Sequence, residues 1–342
     1  MRFIGADLHK KSITFCVVEV VQGKTIVVQR ARILCQDTSR IEKFVARHAP
    51  CLLVVETTIG YEWFVQLCEP IAERVLLAHA GKLRVIAEST RKTDKKGAFV
   101  LAEFLAKDMI PEAWHPTARV RQHRALVRRR QKIQSRITSV KNTIRGILTR
   151  YNADRQDIFT RHGWEVAKEF DLLKEDRWVM DDLWDELLEH SARLDKVGKR
   201  LKTFATTAPA LEAEARAVLD TMPGVGPVTL ETVLAELGDW RRFDNADSVV
   251  AFAGLNPGVR SSDGKRYDMK LTKRGSPLLR WIMIQLAHRV KRTSARWQRM
   301  FEQLSRRTGK KKATCAVARR LLLVMYAMLR DGQAYRPPAV AV

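Results

Sequence analysis

The chain has 342 residues, 46% of them hydrophobic, with a formal net charge of +24 and a sequence pI of about 10.2. That length suits two or three domains, and the charge exceeds what solubility requires and predicts a polyanionic partner. The sequence argues against a membrane span, a secretory signal and a disulfide or zinc framework: no apolar run reaches bilayer length, the N-terminus lacks signal-peptide order, and five cysteines show no metal-ligand spacing. The expected setting is therefore the cytoplasm.

The opening MRFIGADLHKKSITFCVVEV reads as a strand, a turn and a second strand. The predicted strands are 2–6, 13–20 and 25–31, and a helix follows over 39–48. CLLVVE at 51–56 is an unbroken apolar run of the kind found in strands buried on both faces. A helix over 61–73, a strand RVLLAHA and two helical segments ending with 94–107 complete the order. Three antiparallel strands followed by alternating α/β units are the order of a RuvC-like, ribonuclease-H-like domain.

Between 117 and 150 the chain carries eleven lysines and arginines and no acid, whereas the part before Pro116 is near balance. Ile133, Ile137, Val140, Ile144 and Ile147 recur in steps of four and three, a heptad seam. A second long helix, predicted over 178–204, repeats the seam with Met180, Leu183, Leu187, Leu194, Val197, Leu201 and Phe204; His190 fills the remaining seam position as a core residue. The two helices predict an antiparallel coiled coil or half of an intermolecular one. An anionic membrane would attract the same charge, but the packing seam favours nucleic acid. Any one arginine suits a solvated face, yet the acid-free stretch as a whole, with Arg128, Arg129 and Arg130 at its centre, predicts a phosphate-facing surface.

The last third begins with LDTMPGVGPVTLETVLAELGDW, the pattern of a helix-hairpin-helix. Gly224 and Gly226 are expected to take backbone angles closed to other residues. That would leave amides at the next helix's N-terminus for a phosphate oxygen; an ordinary helix connection reads the same. AFAGLNPGVRSSDGKRYDMKLTKRG is predicted as a polar, Gly-rich working loop between helices. RRTGKKKATCAVARRLLLVMYAMLR adds a final amphipathic helix with a basic lead-in.

Asp7 stands at the end of the first apolar run, where it either begins a turn or serves chemistry. Glu56 ends the buried fourth strand, which neighbours the first in the predicted sheet. Asp94 opens the last helix of that domain. Acids this far apart in sequence but adjacent in the fold suit Mg²⁺, which takes oxygen ligands, and paired ions suit phosphate chemistry.

FIGADLHKKS, LLVVETTIGYEW, RKTDKKGAFVLAEFL, MPGVGPVTLETVLAELGDWRRF, AFAGLNPGVRSSDGK and LTKRGSPLLRW follow one another along the chain. In that order they resemble the DEDD transposases of bacterial insertion sequences, the "one-ten" family with its "eleven-eleven" subgroup and the Piv invertases. The resemblance covers nearly the whole chain. It implies a RuvC-like DEDD domain over 1–116, a coiled-coil linker over 117–205, and a C-terminal transposase domain over 206–342 with a helix-hairpin-helix and a serine loop. It further implies DNA strand cleavage and exchange through a phosphoserine, assisted by the acids and Mg²⁺. A structured guide RNA from the element's own end would pair with donor and target DNA. Dimers would meet in a tetramer, at the bacterial nucleoid and away from membranes. Asp7, Glu56 and Asp94 match the family's first three acids. The serine falls in NPGVRSSDGK, where spacing selects Ser262 with Ser261 the close second. Arg260, Lys265, Arg266, Lys273 and Arg274 lie near it in sequence, placed to stabilise phosphate charge.

Three positions depart from the family pattern. Gly97 stands where the fourth acid belongs, Asp263 follows the serine in place of glycine, and Thr272 opens TKRG in place of serine. The missing acid motivates a rival reading, a nucleic-acid-binding relic that no longer cuts. A metal-only endonuclease of the Holliday-junction type, needing the acids and not Ser262, is the third.

Overall fold

Five strands open the chain: β1 (Arg2–Leu8), β2 (Ser12–Val21), β3 (Lys24–Leu34), β4 (Cys51–Glu56) and β5 (Arg74–Ala78). They form one mixed sheet in the order β3-β2-β1-β4-β5. The β1–β2 and β2–β3 pairs are antiparallel, and the β1–β4 and β4–β5 pairs are parallel. The computed structural model describes residues 1–87, 94–262, 265–273 and 275–336, with the backbone alone at 84–87, 94–96, 259–262 and 265–270. The chain divides into two compact units, Met1–His115 and Pro116–Val342.

In the first unit, α1 (Thr38–Arg47), α2 (Tyr61–Cys68), α3 (Ala80–Ala87) and α4 (Asp94–Ala106) accompany the sheet. Alternation along the strands sends Ile4, Phe15, Leu53 and Val55 into one core with Ile41, Phe44 and Phe64. The opposite face sends Cys16, Val18 and Val54 toward α4, where Ala98, Leu101 and Ala102 are buried. Gly5 permits this packing: a Cβ there would lie 2.1 Å from the Ala98 carbonyl oxygen. The backbone of α4 therefore rests directly on β1. β1 runs past the predicted end at Ala6 because Asp7 still pairs with Thr14 across the hairpin.

In the second unit, α5 (Ala118–Arg150) and α7 (Lys174–Thr206) are each 33 residues long. They run antiparallel: Arg119 near the start of α5 donates to the Phe204 carbonyl, and Arg150 at its end donates to Asp176. Ile133, Ile137, Val140, Ile144 and Ile147 are buried between them with Met180 and Leu187. His190 is buried in the same seam, its Nε2 3.1 Å from Glu186 Oε1. A short α6 (Arg161–Lys168) joins the two helices, and its Trp164 stacks on Trp184 at 3.8 Å.

The chain continues through α8 (Ala210–Asp220), α9 (Pro227–Leu237), α10 (Ala246–Ala253), β6 (Pro257–Ser262), β7 (Lys265–Leu271), α11 (Pro277–Thr293), α12 (Ala295–Thr308) and α13 (Lys310–Asp331). Its core gathers Leu219, Val233, Leu237, Leu279, Met283, Leu286, Leu321 and Met325. Among the described residues no helix is long and apolar enough to cross a membrane. The predicted polar loop after α10 is instead an antiparallel β-hairpin, Ser262 pairing with Lys265. The signal was present: Asp-Gly between two runs is a strong hairpin mark.

Polar side chains fix α5 to α8 and α9. Glu231 accepts from Arg216 at 2.8 Å and lies 2.7 Å from buried His123 Nε2, while Glu212 accepts from Arg119 and Arg216. Burial alone would push the Glu231 carboxyl up; its contacts with His123 and Arg216 outweigh burial and hold it down at about 2. A carboxyl held below its unfolded value stabilises the fold above that value and loses the contribution as pH falls through the folded one. The stability difference between the chain and Glu231→Gln should therefore shrink by about 3 kcal/mol as pH falls from about 5 to about 2. Urea unfolding at a series of pH values measures it; a constant difference would mean that the carboxylate charge contributes nothing.

Candidate functional site

Ala6 pairs with Val55 in parallel register, so Asp7 and Glu56 occupy the next rung, at the C-terminal ends of neighbouring strands. Period-two alternation puts both on the face that carries α4, with Val54 beneath Glu56. α4 begins at Asp94, and its first turn brings Gly97 over Asp7: an added Cβ would lie 2.8 Å from Asp7 Oδ2. His9 Nε2 lies 3.4 Å from the same oxygen. The side chain of Asp94 is outside the described atoms. Among the described residues no group of three or more His, Cys, Asp or Glu side chains is arranged to hold a metal ion. Asp7 and Glu56 meet by register, and the backbone of Asp94 comes to the same end of the sheet through Gly97. Carboxylates of this kind suit a hard divalent cation, and position 97 contributes none.

The second candidate group surrounds the hairpin. Ser261 and Ser262 close β6 opposite Arg266 and Lys265; their side chains, like those of Arg260, Lys265 and Arg266, are outside the described atoms. After β7 the chain is clamped to the end of α10: Thr272 N donates to Asn256 O at 3.0 Å and Ser276 N to Phe252 O at 2.7 Å. Within that clamp Lys273 is exposed with φ of 53°, unusual for a residue with a side chain. Gly275, at φ of 101°, has no alternative, since a Cβ would lie 2.0 Å from Phe252 O. Backbone held this way is concentrated at functional sites. Arg274 lies outside the described residues.

Two family models match the chain. One for DEDD transposases of the IS110 type matches residues 4–153, and one described as the IS116/IS110/IS902 family of transposases matches 216–302. The first spans both strand-end acids and the start of α4; the second spans the hairpin and its clamp. The chain belongs to the IS110 family of transposases. It is similar to the transposase for insertion sequence element IS1111A of Coxiella burnetii, with 25% identity over 72% of this chain and 69% of the relative. It is also similar to a probable family 20 transposase of Pseudomonas aeruginosa, at 23% identity over 98% of each chain. The transposase for IS1328 of Yersinia enterocolitica is 23% identical over 97% of this chain and 98% of its own. The protein is thus a DNA transposase, and DNA is its partner.

The basic helix of this transposase is not uniformly available to DNA. Arg128, expected on a phosphate-facing surface, is instead paired with the buried Glu236 of α9, Nε to Oε1 at 2.8 Å and the second nitrogen to Oε2 at 3.0 Å. Ser276 Oγ donates to the same carboxylate and caps α11 by accepting from Leu279 N. Burial would push the Glu236 carboxyl up; Arg128, Ser276 and Arg124 hold it below the usual range. Arg124 donates to the carbonyls of Ala235 and Glu236. Arg130 is half-buried, which lowers its pKa. Arg129, named from the sequence, is exposed, and it shares one face at spacings of three and four with exposed Lys132 and Arg136, which sequence reasoning did not single out. The heptad phase contained this signal, since Ile133 and Ile137 fix which positions turn away.

The connection 221–226 needs glycine at one of its two positions only. Gly224 has φ of 87°, and a Cβ there would lie 2.8 Å from Val290. Gly226, with φ of −107° and ψ of 173°, is ordinary extended backbone and precedes Pro227 at the first turn of α9. Arg289 lies 3.7 Å from its Cβ position.

Proposed function

We propose that this transposase cleaves and exchanges DNA strands of an insertion sequence through a phosphoserine intermediate, guided by a structured RNA and assisted by a divalent cation, Mg²⁺ in the first instance. One juxtaposition carries the reading: Asp7, Glu56 and the start of α4 meet at one end of the sheet. That is the placement of acids in a RuvC-like domain, which we take to extend over 1–116. The antiparallel pair α5–α7 then serves as a coiled coil over 117–205. The part 206–342 serves as the transposase domain, with α8 and α9 as a helix-hairpin-helix whose Gly224 and Gly226 bring α9's N-terminus to phosphate. Dimers that meet in a tetramer, in the cytoplasm at the nucleoid, belong to the same proposal.

Asp7, Glu56 and Asp94 would hold the cation, which supplies Lewis-acid stabilisation of phosphate oxygens when bound. Ser262 Oγ attacks phosphorus, a new P–O bond forms, and the strand's former ester oxygen leaves with the proton the hydroxyl gives up. Ser261 is the alternative nucleophile. Lys273 and Arg274 stabilise the charge on the phosphate. The bond energy is retained in the ester, so exchange needs no external energy source.

Incubation of the full chain with element-end DNA, the transcript of that end and Mg²⁺ tests the proposal. Recombinant junctions should form, and omission of the RNA should remove them. Junctions formed equally well without RNA would refute guidance. The relic reading is favoured by Gly97 and predicts binding without junctions under every condition. Replacing Arg129, Lys132 and Arg136 by Glu should weaken nucleic-acid binding and lower its log–log salt slope by about one unit per lost phosphate contact. Filter binding across a salt series reads this; an unaltered slope would place the stripe away from nucleic acid.

A further inference from the structure

Gly309 alone joins α12 to α13, and a groove of about 320 Å³ lies between the two helices. We propose that this groove binds an unpaired strand of DNA, its phosphates on Arg307 and Arg320 and its sugars and bases on Met300 and Leu304. The site belongs to the second unit and is independent of the strand-end acids, the serine and the guide RNA.

Helical spacing builds the groove. Met300, Gln303, Leu304 and Arg307 share one face of α12, and Ala316 and Arg320 stand one turn apart on α13. Met300 and Leu304 are half-buried against the core, so that part of each forms an apolar floor. Ala316 is small and exposed and leaves that floor open. Arg307 and Arg320 are exposed, and neither has an acid partner among the described residues.

The charge around the groove is one-sided. Arg306, Lys310, Lys311 and Lys312 flank the turn at Gly309, are exposed, and form no ion pair among the described residues. Arg306 and Arg307 suit the C-terminal end of α12, but the three lysines occupy the first turn of α13 with no acid beside them. Positive charge at that end of a helix is destabilising. The fold gains nothing from the lysines, and a polyanion is the partner they suit. The floor decides which polyanion. A duplex turns its bases inward and offers phosphates to the cations alone, so an apolar floor adds nothing to its binding. An unpaired strand presents sugars and base faces between its phosphates, and apolar and thioether surface adds contact to them. An acidic protein segment would need acids repeated as regularly as phosphates, whereas a DNA strand carries one at every nucleotide.

Fluorescence anisotropy of the full chain with a labelled oligothymidylate of about 12 nucleotides, and with a duplex of the same length, tests this without reference to activity. Arg307→Ala combined with Arg320→Ala should weaken oligothymidylate binding about tenfold and lower its log–log salt slope by roughly 1.4, two phosphate contacts at about 0.7 each. Duplex binding should fall less than about twofold, since the groove adds little to it. Ala316→Leu fills the groove without altering charge. It should weaken oligothymidylate binding about fivefold and leave the salt slope and duplex binding unaltered. All three positions are exposed, so the variants should fold as the unaltered chain does, which circular dichroism checks. Equal losses for single strand and duplex would overturn the proposal and make the arginines a general phosphate surface. Full oligothymidylate affinity in Ala316→Leu would overturn it by removing the floor from the site. An oligouridylate bound more tightly than the oligothymidylate, and lost in the same variants, would assign the groove to RNA instead. Oligothymidylate binding that survives in the arginine variant while self-association, read by sedimentation, is lost would make the groove a contact between copies of the chain.

Discussion

Ser262→Ala is expected to abolish both the covalent protein–DNA adduct and the recombinant product, a loss of several orders of magnitude. The serine oxygen is the atom that holds the cut strand in the proposed reaction, and alanine offers nothing in its place. Folding and DNA binding should be nearly unaffected, because the serine ends a two-stranded hairpin and one hydroxyl there contributes little to either. The adduct is read as DNA that migrates with protein on a denaturing gel. Asp7→Asn should give the same loss from the other unit, with its affinity for Mg²⁺ reduced. Retention of the adduct in Ser262→Ala together with its loss in Ser261→Ala would move the nucleophile by one residue. DNA cleavage that survives both alanine variants and fails in Asp7→Asn would establish the metal-only nuclease instead.

Arg128→Ala is expected to destabilise the second unit by about 3 kcal/mol, and more than Glu236→Gln does. The two partners are unequally placed: the Glu236 side chain is 1% exposed and that of Arg128 is 58% exposed. Without Glu236 the guanidinium returns to water at little cost. Without Arg128 a carboxylate stays buried with Ser276 as its hydrogen-bonding partner, and removing one member of a buried pair typically costs about 3–5 kcal/mol. The lower end applies because Glu236 keeps Ser276 and can take up a proton. Urea unfolding of the two single variants and the double variant measures the pair. If Arg128→Ala keeps full stability and loses DNA affinity, the arginine serves phosphate, and the pairing with Glu236 is incidental.

The sheet was legible because its signals are local. An unbroken apolar run marks β4 as buried on both faces, and the element order leaves few ways to arrange β1 to β5. The heptad seam likewise announced α5 and α7, though α7 begins at Lys174, before the predicted 178. α6 was not legible: it is 8 residues long with a glycine inside, and its reason to exist is the distant stack of Trp164 on Trp184. The candidate acids were read from strand ends, whereas the pairing of Arg128 with Glu236 was not legible. Its partner lies 108 residues away, and an unpaired arginine in a basic run carries no mark of a buried carboxylate across the fold.

The seating of α4 on Gly5 has a consequence for how this protein tolerates change over evolutionary time. The separation of Asp7 from the start of α4 is fixed by main-chain atoms meeting main-chain atoms, as the carbonyl of Ala98 lies where a side chain at position 5 would begin. Such a gauge has no adjustable part. Core residues elsewhere in the sheet can be exchanged for others of different volume, with the layers shifting to suit, and the gauge still reads the same. A chain can in this way repack much of the interior of this unit while the separation of β1 from α4 is kept. The converse is stricter: a single methyl at position 5 would lift the helix and change the distance on which the acid geometry depends.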